Sequence, residues 1–133
     1  MNYTTQQDVL DFVEDNNVKF VRFAFTDIFG TQKNIAVLAG DLPKALEDGV
    51  CFDGSAVPGF MQVEESDLVL RPDLSTLTIL PWRPAEGRVM QFFCDIEQPG
   101  GKPFGGNCRG FLRQIARRFR QLGLVCNVGA ECE

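Results

Sequence analysis

The sequence predicts an α+β fold: a sheet with a helix packed on one face, followed by a strap and a separate basic helix. Aromatic and β-branched runs bounded by Gly, Pro and Asp recur from residue 18 to residue 95, as sheet strands require. Short amphipathic stretches with capping residues sit before and between them. Residues 98–107, QPGGKPFGGN, then lose hydrophobic periodicity and read as a linker or strap.

Thr5 precedes an amphipathic stretch, Gln6–Asn16, and Asp8 lies three residues on, the pattern of a capping box. Val9, Leu10, Phe12 and Val13 give that helix an apolar side. Val18–Thr26 (VKFVRFAFT) is predicted as a strand with Val21, Phe23 and Phe25 on one face. Asp27–Thr31 turns the chain at Gly30, and Gln32–Leu38 returns as the hairpin partner. Asp41 is expected to cap a helix of about two turns that tolerates Pro43 in its first turn and ends at Gly49. After a glycine-containing loop, Leu68–Leu70, Thr76–Leu80 and Arg88–Asp95 are predicted strands, broken by Pro72, Pro81 and Pro84.

Beyond the strap, Asn107 is expected to cap a helix from Cys108 to Leu122, with Gly123 placed to end it. Phe111, Leu112, Ile115, Ala116, Phe119 and Leu122 form its apolar stripe, and Arg109, Arg113, Arg117, Arg118 and Arg120 occupy much of the remainder. Leu124–Glu133 is predicted to begin as a strand.

At 133 residues the chain can bury a real core in one ordinary domain. Its 44% apolar and 23% charged composition excludes a disordered tail. No apolar run is long enough to cross a bilayer, and no basic-then-apolar leader opens the sequence, so a cytoplasmic protein with no membrane partner is expected. The 5 cysteines (Cys51, Cys94, Cys108, Cys126, Cys132) are scattered without a CxxC pair, which argues for reduced thiols rather than a zinc site. Histidine is absent, so any chemistry must use carboxylates, backbone groups or arginines. Net charge is −5, split as −8 over residues 1–107 and +3 over residues 108–133, a shift of the kind that marks a boundary. Overall acidity argues against nucleic acid as a partner.

Carboxylates are therefore the candidates. Asp53 sits in Phe52-Asp53-Gly54-Ser55, within a loop ending Pro58-Gly59-Phe60. Taken alone this is ordinary turn chemistry; the functional reading is a short carboxylate able to hold and deprotonate a small cation. Glu131 and Glu133 stand two apart, so on a strand both project from one face. Unpaired they form a solvated acidic end; bridged by a hard divalent cation they become oxygen ligands. The arginine-rich helix reads as a solvated basic face, or less readily as a phosphate site.

Order and spacing add a resemblance. RFAFTDIFGTQKNIAV, then FDGSAVPGF, then ESDLVLRPDLSTLTILPW, then the strap, a helix and GAECE together resemble glutamine synthetase of type I, over the whole chain but only the front portion of that family's length. The resemblance implies a β-grasp (ubiquitin-like) domain over residues 1–98, a strap over 99–107, and the truncated beginning of the catalytic domain over 108–133, with its first strand. It also implies an ATP-dependent glutamate–ammonia ligase that uses Mg²⁺ or Mn²⁺. Asp53 then matches the family aspartate that binds ammonium and takes its proton, with Ser55 as a neighbouring loop serine. Ala56 stands where many relatives carry a second serine. Glu131 and Glu133 match the first two metal-binding glutamates, although this chain has GAECE where many members have GPEPE. The implied partners are adjacent subunits of a homo-oligomeric ring, with the Asp53 loop closing on a neighbour's active site, and with glutamate and ammonium as substrates.

On these grounds the chain alone is expected to be inactive, to bind no cofactor, and to self-associate through the apolar stripe of its last helix. Two alternatives stay open at this point: a ligase acting on a larger amine or polyamine, and a free-standing β-grasp interaction module.

Overall fold

The computed structural model describes residues 5–60 and 66–131. Helix α1 (Gln6–Asp15) opens on the expected capping box: the Thr5 hydroxyl accepts from the Asp8 N–H at 3.1 Å, and the Asp8 carboxylate accepts from the Thr5 N–H at 3.1 Å. Strands β1 (Val18–Thr26) and β2 (Gln32–Leu38) form the expected antiparallel hairpin. Asp27 ties its turn by accepting from the N–H groups of Phe29 and Thr31 at 2.9 and 2.8 Å. Helix α2 (Leu42–Asp48), β3 (Val50–Asp53), β4 (Asp67–Pro72), β5 (Thr78–Ile79), β6 (Arg88–Glu97) and α3 (Cys108–Gln121) follow.

The sheet runs β2-β1-β6-β4-β3, with β5 pairing β6 to one side. β1 and β6 are parallel, and the other pairs are antiparallel. The alternation read from the sequence sets the core: Val21, Phe23 and Phe25 are all buried, Val21 lies opposite Met90, and Phe23 lies opposite Phe92. Val9 of α1, Leu42 and Leu46 of α2, and Leu68 and Leu70 of β4 complete that core from the same side. Each such side chain contributes about 1.5–3 kcal/mol by leaving water. Arg71 fastens the helical layer to the sheet, donating to the Glu47 carbonyl at 2.8 Å and to the Glu97 carboxylate at 3.1 Å.

Several expectations are corrected, each for a local reason. Asp41 makes no side-chain cap; a 3₁₀ turn, Ala39–Asp41, feeds directly into α2 with Asp41 already in helical geometry. Residues 50–53 form a strand rather than loop, paired from Val50↔Leu70 to Asp53↔Asp67. The strand expected over Thr76–Leu80 shrinks to Thr78–Ile79, because Asp73 closes a 3₁₀ turn at Leu74–Thr76 by accepting from the Ser75 N–H and hydroxyl. Asn107 precedes α3 but gives it no side-chain cap; its amide nitrogen points to Asp95 Oδ1 at 3.5 Å instead. Leu124–Glu131 forms no strand, and residues 132–133 lie outside the described residues.

Nor is the strap free. The Gln98 N–H donates to the Lys102 carbonyl at 2.7 Å, Glu97 bridges Pro103, and the Phe104 N–H donates to the Ile96 carbonyl at 3.0 Å. The Pro/Gly-rich segment thus folds back along the end of β6 and delivers α3 to Asp95, which alternates with the buried Cys94 and Ile96.

Leu70 is wholly buried in this core, so Leu70→Ala should cost about 2–5 kcal/mol. Urea denaturation should show a lowered midpoint with an unchanged slope.

Candidate functional site

Asp53 is the last residue of β3, where the sheet stops and a 3₁₀ turn, Gly54–Ala56, begins. One carboxylate oxygen, Oδ1, accepts from the Ser55 hydroxyl at 2.6 Å and from the Ser55 N–H at 2.8 Å. The Ser55 hydroxyl foremost, then the Ser55 N–H, with help from the Ser66 hydroxyl and the Ala56 N–H, holds the Asp53 carboxyl below its ordinary value.

The turn is fixed by close approach rather than by its own flexibility. Gly54 is buried, its N–H donates to the Ser66 carbonyl at 2.6 Å, and a Cβ there would lie 2.7 Å from Leu68 Cδ1. A larger residue would have to displace the Leu68 side chain and crowd the Ser66 carbonyl, 3.0 Å from that Cβ, which glycine avoids. The same register sets Asp67 opposite Asp53, both exposed. Like charges directly opposite repel, which favours a cation at that end of the sheet. Sequence reading missed both Asp67 and Ser66, because the pairing that brings them to Asp53 depends on recognising β3. The alternation of Val50 and Phe52 between exposed residues was the available signal.

The expected metal pair is not assembled among the described residues. Glu131 is exposed in an irregular segment, and Glu133 lies outside the described residues. No group of three or more His, Cys, Asp or Glu residues able to hold a metal occurs among the described residues. The carboxylate oxygen of Glu131 suits a hard divalent cation chemically. The four described cysteines carry free thiols, and burial pushes the Cys94 thiol far above its ordinary value, out of reactive range.

The arginine helix divides: Arg117, Arg118 and Arg120 are exposed, as a solvated basic face requires, while Arg109 and Arg113 are drawn into ion pairs. Asp73 Oδ2 accepts from Arg109 at 2.6 Å and from Arg113 at 3.1 Å. Asp95 Oδ2 accepts from Arg109 at 3.3 Å and from Arg113 as well. Two forked guanidiniums thus bridge two carboxylates, and α3 docks through charge. Most of its apolar stripe points away, with Phe111 64% exposed and Leu122 75% exposed, although Ile115 and Ala116 are half-buried. A groove of about 690 Å³ between α3 and the strap includes Glu97, Phe104, Phe111 and Arg117, but neither Asp53 nor Ser55.

Residues 17–99, more than half of the chain, match the family model described as "Glutamine synthetase, beta-Grasp domain". The chain belongs to the glutamine synthetase family. It is 46% identical over 129 residues to the glutamine synthetase of Clostridium saccharobutylicum, covering 97% of this chain and 29% of that protein. It is 45% identical over 130 residues to that of Methanosarcina mazei, covering 98% of this chain and again 29% of the relative. The chain thus spans less than a third of the length of these glutamine synthetases.

Among solved structures, a GmaS/ADP complex superposes with a TM-score of 0.77 at 26% identity, over 86% of this chain and 26% of that one. Plasmodium falciparum glutamine synthetase superposes with a TM-score of 0.80 at 20% identity, over 92% of this chain and 24% of that one, a likeness of fold. The β-grasp expectation for the glutamine synthetase sheet is borne out. No helix among the described residues is long and apolar enough to cross a membrane.

Burial would push the Asp73 carboxyl up, but the Ser75 hydroxyl and the Arg109 guanidinium outweigh it and leave it lowered. A lowered carboxyl stabilises the fold above its unfolded value and loses that contribution as pH falls through its folded value. The α3 contact should therefore be whole above pH 3.8, the ordinary value, and should loosen below it. Exchange at α3 amides should rise there before exchange at β1 amides. Arg109→Met with Arg113→Met should loosen α3 at neutral pH, at a cost of about 1–2 kcal/mol.

Proposed function

We propose that this chain is the ammonium-handling part of an ATP-dependent glutamate–ammonia ligase, with Asp53 as the residue that holds the cation. In this reading residues 1–98 form the β-grasp domain, 99–107 the strap, and 108–133 the beginning of a catalytic domain. The observation that carries it is the state of Asp53: exposed, at a strand end, one oxygen saturated by Ser55 and the carboxyl held low. Asp73 supports it from within the same molecule. That residue has the same turn, with Oδ1 taken by Ser75 at 2.6 Å and Oδ2 taken by Arg109 at 2.6 Å. Asp53 offers its second oxygen to a cation in the same way.

Ammonium has no lone pair, so it must be held and then lose a proton before nitrogen can attack a carbonyl carbon. Hydrogen bonds to the charged form suit Asp53 first to holding the cation. Covering the loop with a neighbouring subunit would raise the carboxyl by excluding water and make it a better proton acceptor. This fits a site shared between subunits of a homo-oligomeric ring. Ser55 acts by orienting the carboxylate.

Glu131 and Glu133 are proposed as carboxylate ligands for Mg²⁺ or Mn²⁺, giving part of the oxygen set such ions take. When bound, those ions would neutralise charge on phosphate oxygens of the nucleotide. The sites for ATP and glutamate belong, in this reading, to the remaining length of the relatives. The outward stripe of α3, Phe111 to Leu122, supports a larger domain packed over it.

The test is Asp53→Ala in the full-length synthetase that contains this chain. Ammonium-dependent turnover should fall by at least about a hundredfold while nucleotide binding stays near the parent value. Equal loss of both would remove the ammonium role. The 133-residue chain alone should form no glutamine from ATP, glutamate and ammonium; measurable product would contradict the shared-site reading.

A further inference from the structure

Four phenylalanine rings connect the Asp53 loop to the strap. Phe52, immediately before Asp53, meets Phe25 with ring centroids 5.0 Å apart. Phe25 meets Phe60 at 6.1 Å, and Phe60 meets Phe104 at 5.3 Å with the rings tilted by 55°. The loop is thus bracketed by rings at both ends, Phe52 on entry and Phe60 on exit. Val57, between them, is buried in the core, and its N–H donates to the Gly54 carbonyl at 3.1 Å. Gly59 takes a φ of +82°, and a Cβ there would fall 2.2 Å from Ile28 Cδ1, so the exit runs flush against the β1–β2 turn.

Phe104 reaches this cluster because the strap folds back. Its N–H donates to the Ile96 carbonyl at 3.0 Å, and its own carbonyl accepts from the Asn107 N–H at 3.1 Å. Phe60 and Phe104 are only half-buried and lie at the margin of the core. Their contact therefore lies at the edge of the core and ties residue 60, just after the Asp53 turn, to the strap.

We propose that Phe60 and Phe104 are positioning residues for Asp53: the strap ring clamps the exit of the loop and so fixes the direction in which the carboxylate faces. The clamp's functional meaning rests on the reading of Asp53 as the cation-holding residue; its geometry does not. One consequence is directional. Any shift of the strap, which joins β6 to α3, is transmitted to residue 53 through ring contacts.

The experiment uses the 133-residue chain, isotopically labelled, as wild type and as Phe60→Ala, Phe104→Ala and Phe104→Leu. Two quantities are read: the titration of the Asp53 carboxyl carbon, and amide exchange at Gly54, Ser55 and Val57. In both alanine variants Asp53 should titrate higher, back toward the ordinary 3.8, as the Ser55 bonds lapse. Loop exchange should rise about tenfold, while β1 and β6 amides keep their protection. Phe104→Leu, which keeps apolar bulk, should fall between wild type and alanine.

An unchanged Asp53 titration in either alanine variant would overturn the clamp. So would a rise in exchange spread evenly over the sheet, since the rings would then support the fold as a whole. Titrating the wild-type chain with ammonium chloride against sodium chloride tests the other reading separately. A specific response to ammonium would support that reading, and it is removed by equal loss of turnover and nucleotide binding in full-length Asp53→Ala, which would leave the clamp standing.

Discussion

The parallel pairing of β1 with β6 is the constraint on which the rest of the molecule depends. A parallel pair cannot be closed by a tight turn, so the chain between Thr26 and Arg88 has to make a long connection before β6 can lie beside β1. The excursion is used fully. It adds β2 on one side, crosses the core face as α2, and adds β3 and β4 on the far side of β6. Asp53 stands at the end of β3 because that excursion has to turn back there to reach β4. The carboxylate is thus exposed on a rigid support, one strand away from the most deeply buried pair.

A single local device serves two ends in this chain. Asp53 with Ser55, and Asp73 with Ser75, both close 3₁₀ turns in which serine saturates one carboxylate oxygen. Both carboxyls are held low, Asp53 chiefly by the Ser55 hydroxyl and Asp73 by serine and arginine bonds that outweigh its burial. What differs is the surroundings. Asp73 faces a helix that brings its own cations, whereas Asp53 faces solvent beside another acid, Asp67. This chain thus employs a structural and an open version of the same turn.

Much of the fold was legible in the residues. Long alternating runs such as VKFVRFAFT and a complete capping box leave little choice of structure. The misses share a cause, which is short-range polar bonding that competes with regular structure. Asp73 with Ser75 and Thr76 displaced part of a strand, and Asn107 turned to Asp95 instead of to its own helix. β3 was missed because four residues are too few to show a period convincingly, and that omission concealed Ser66 and Asp67. The strap read from its composition only as a connection, yet glycine and proline there permit the reversal that places Phe104. The face by which α3 docks was not legible for a further reason. Amphipathic patterning says which side is apolar, but not which side meets the body of the domain.

The forked bridging of Asp73 and Asp95 by Arg109 and Arg113 has a consequence for how this helix can vary. Each guanidinium engages acids from two separate segments at once, so the helix is fixed in roll as well as in position. An ammonium group is a point charge and cannot span both acids with the same planar fork. Replacing either arginine by lysine would preserve the charge and the docking, yet it would free α3 to swivel about its own axis. Preserved charge would not mean preserved orientation.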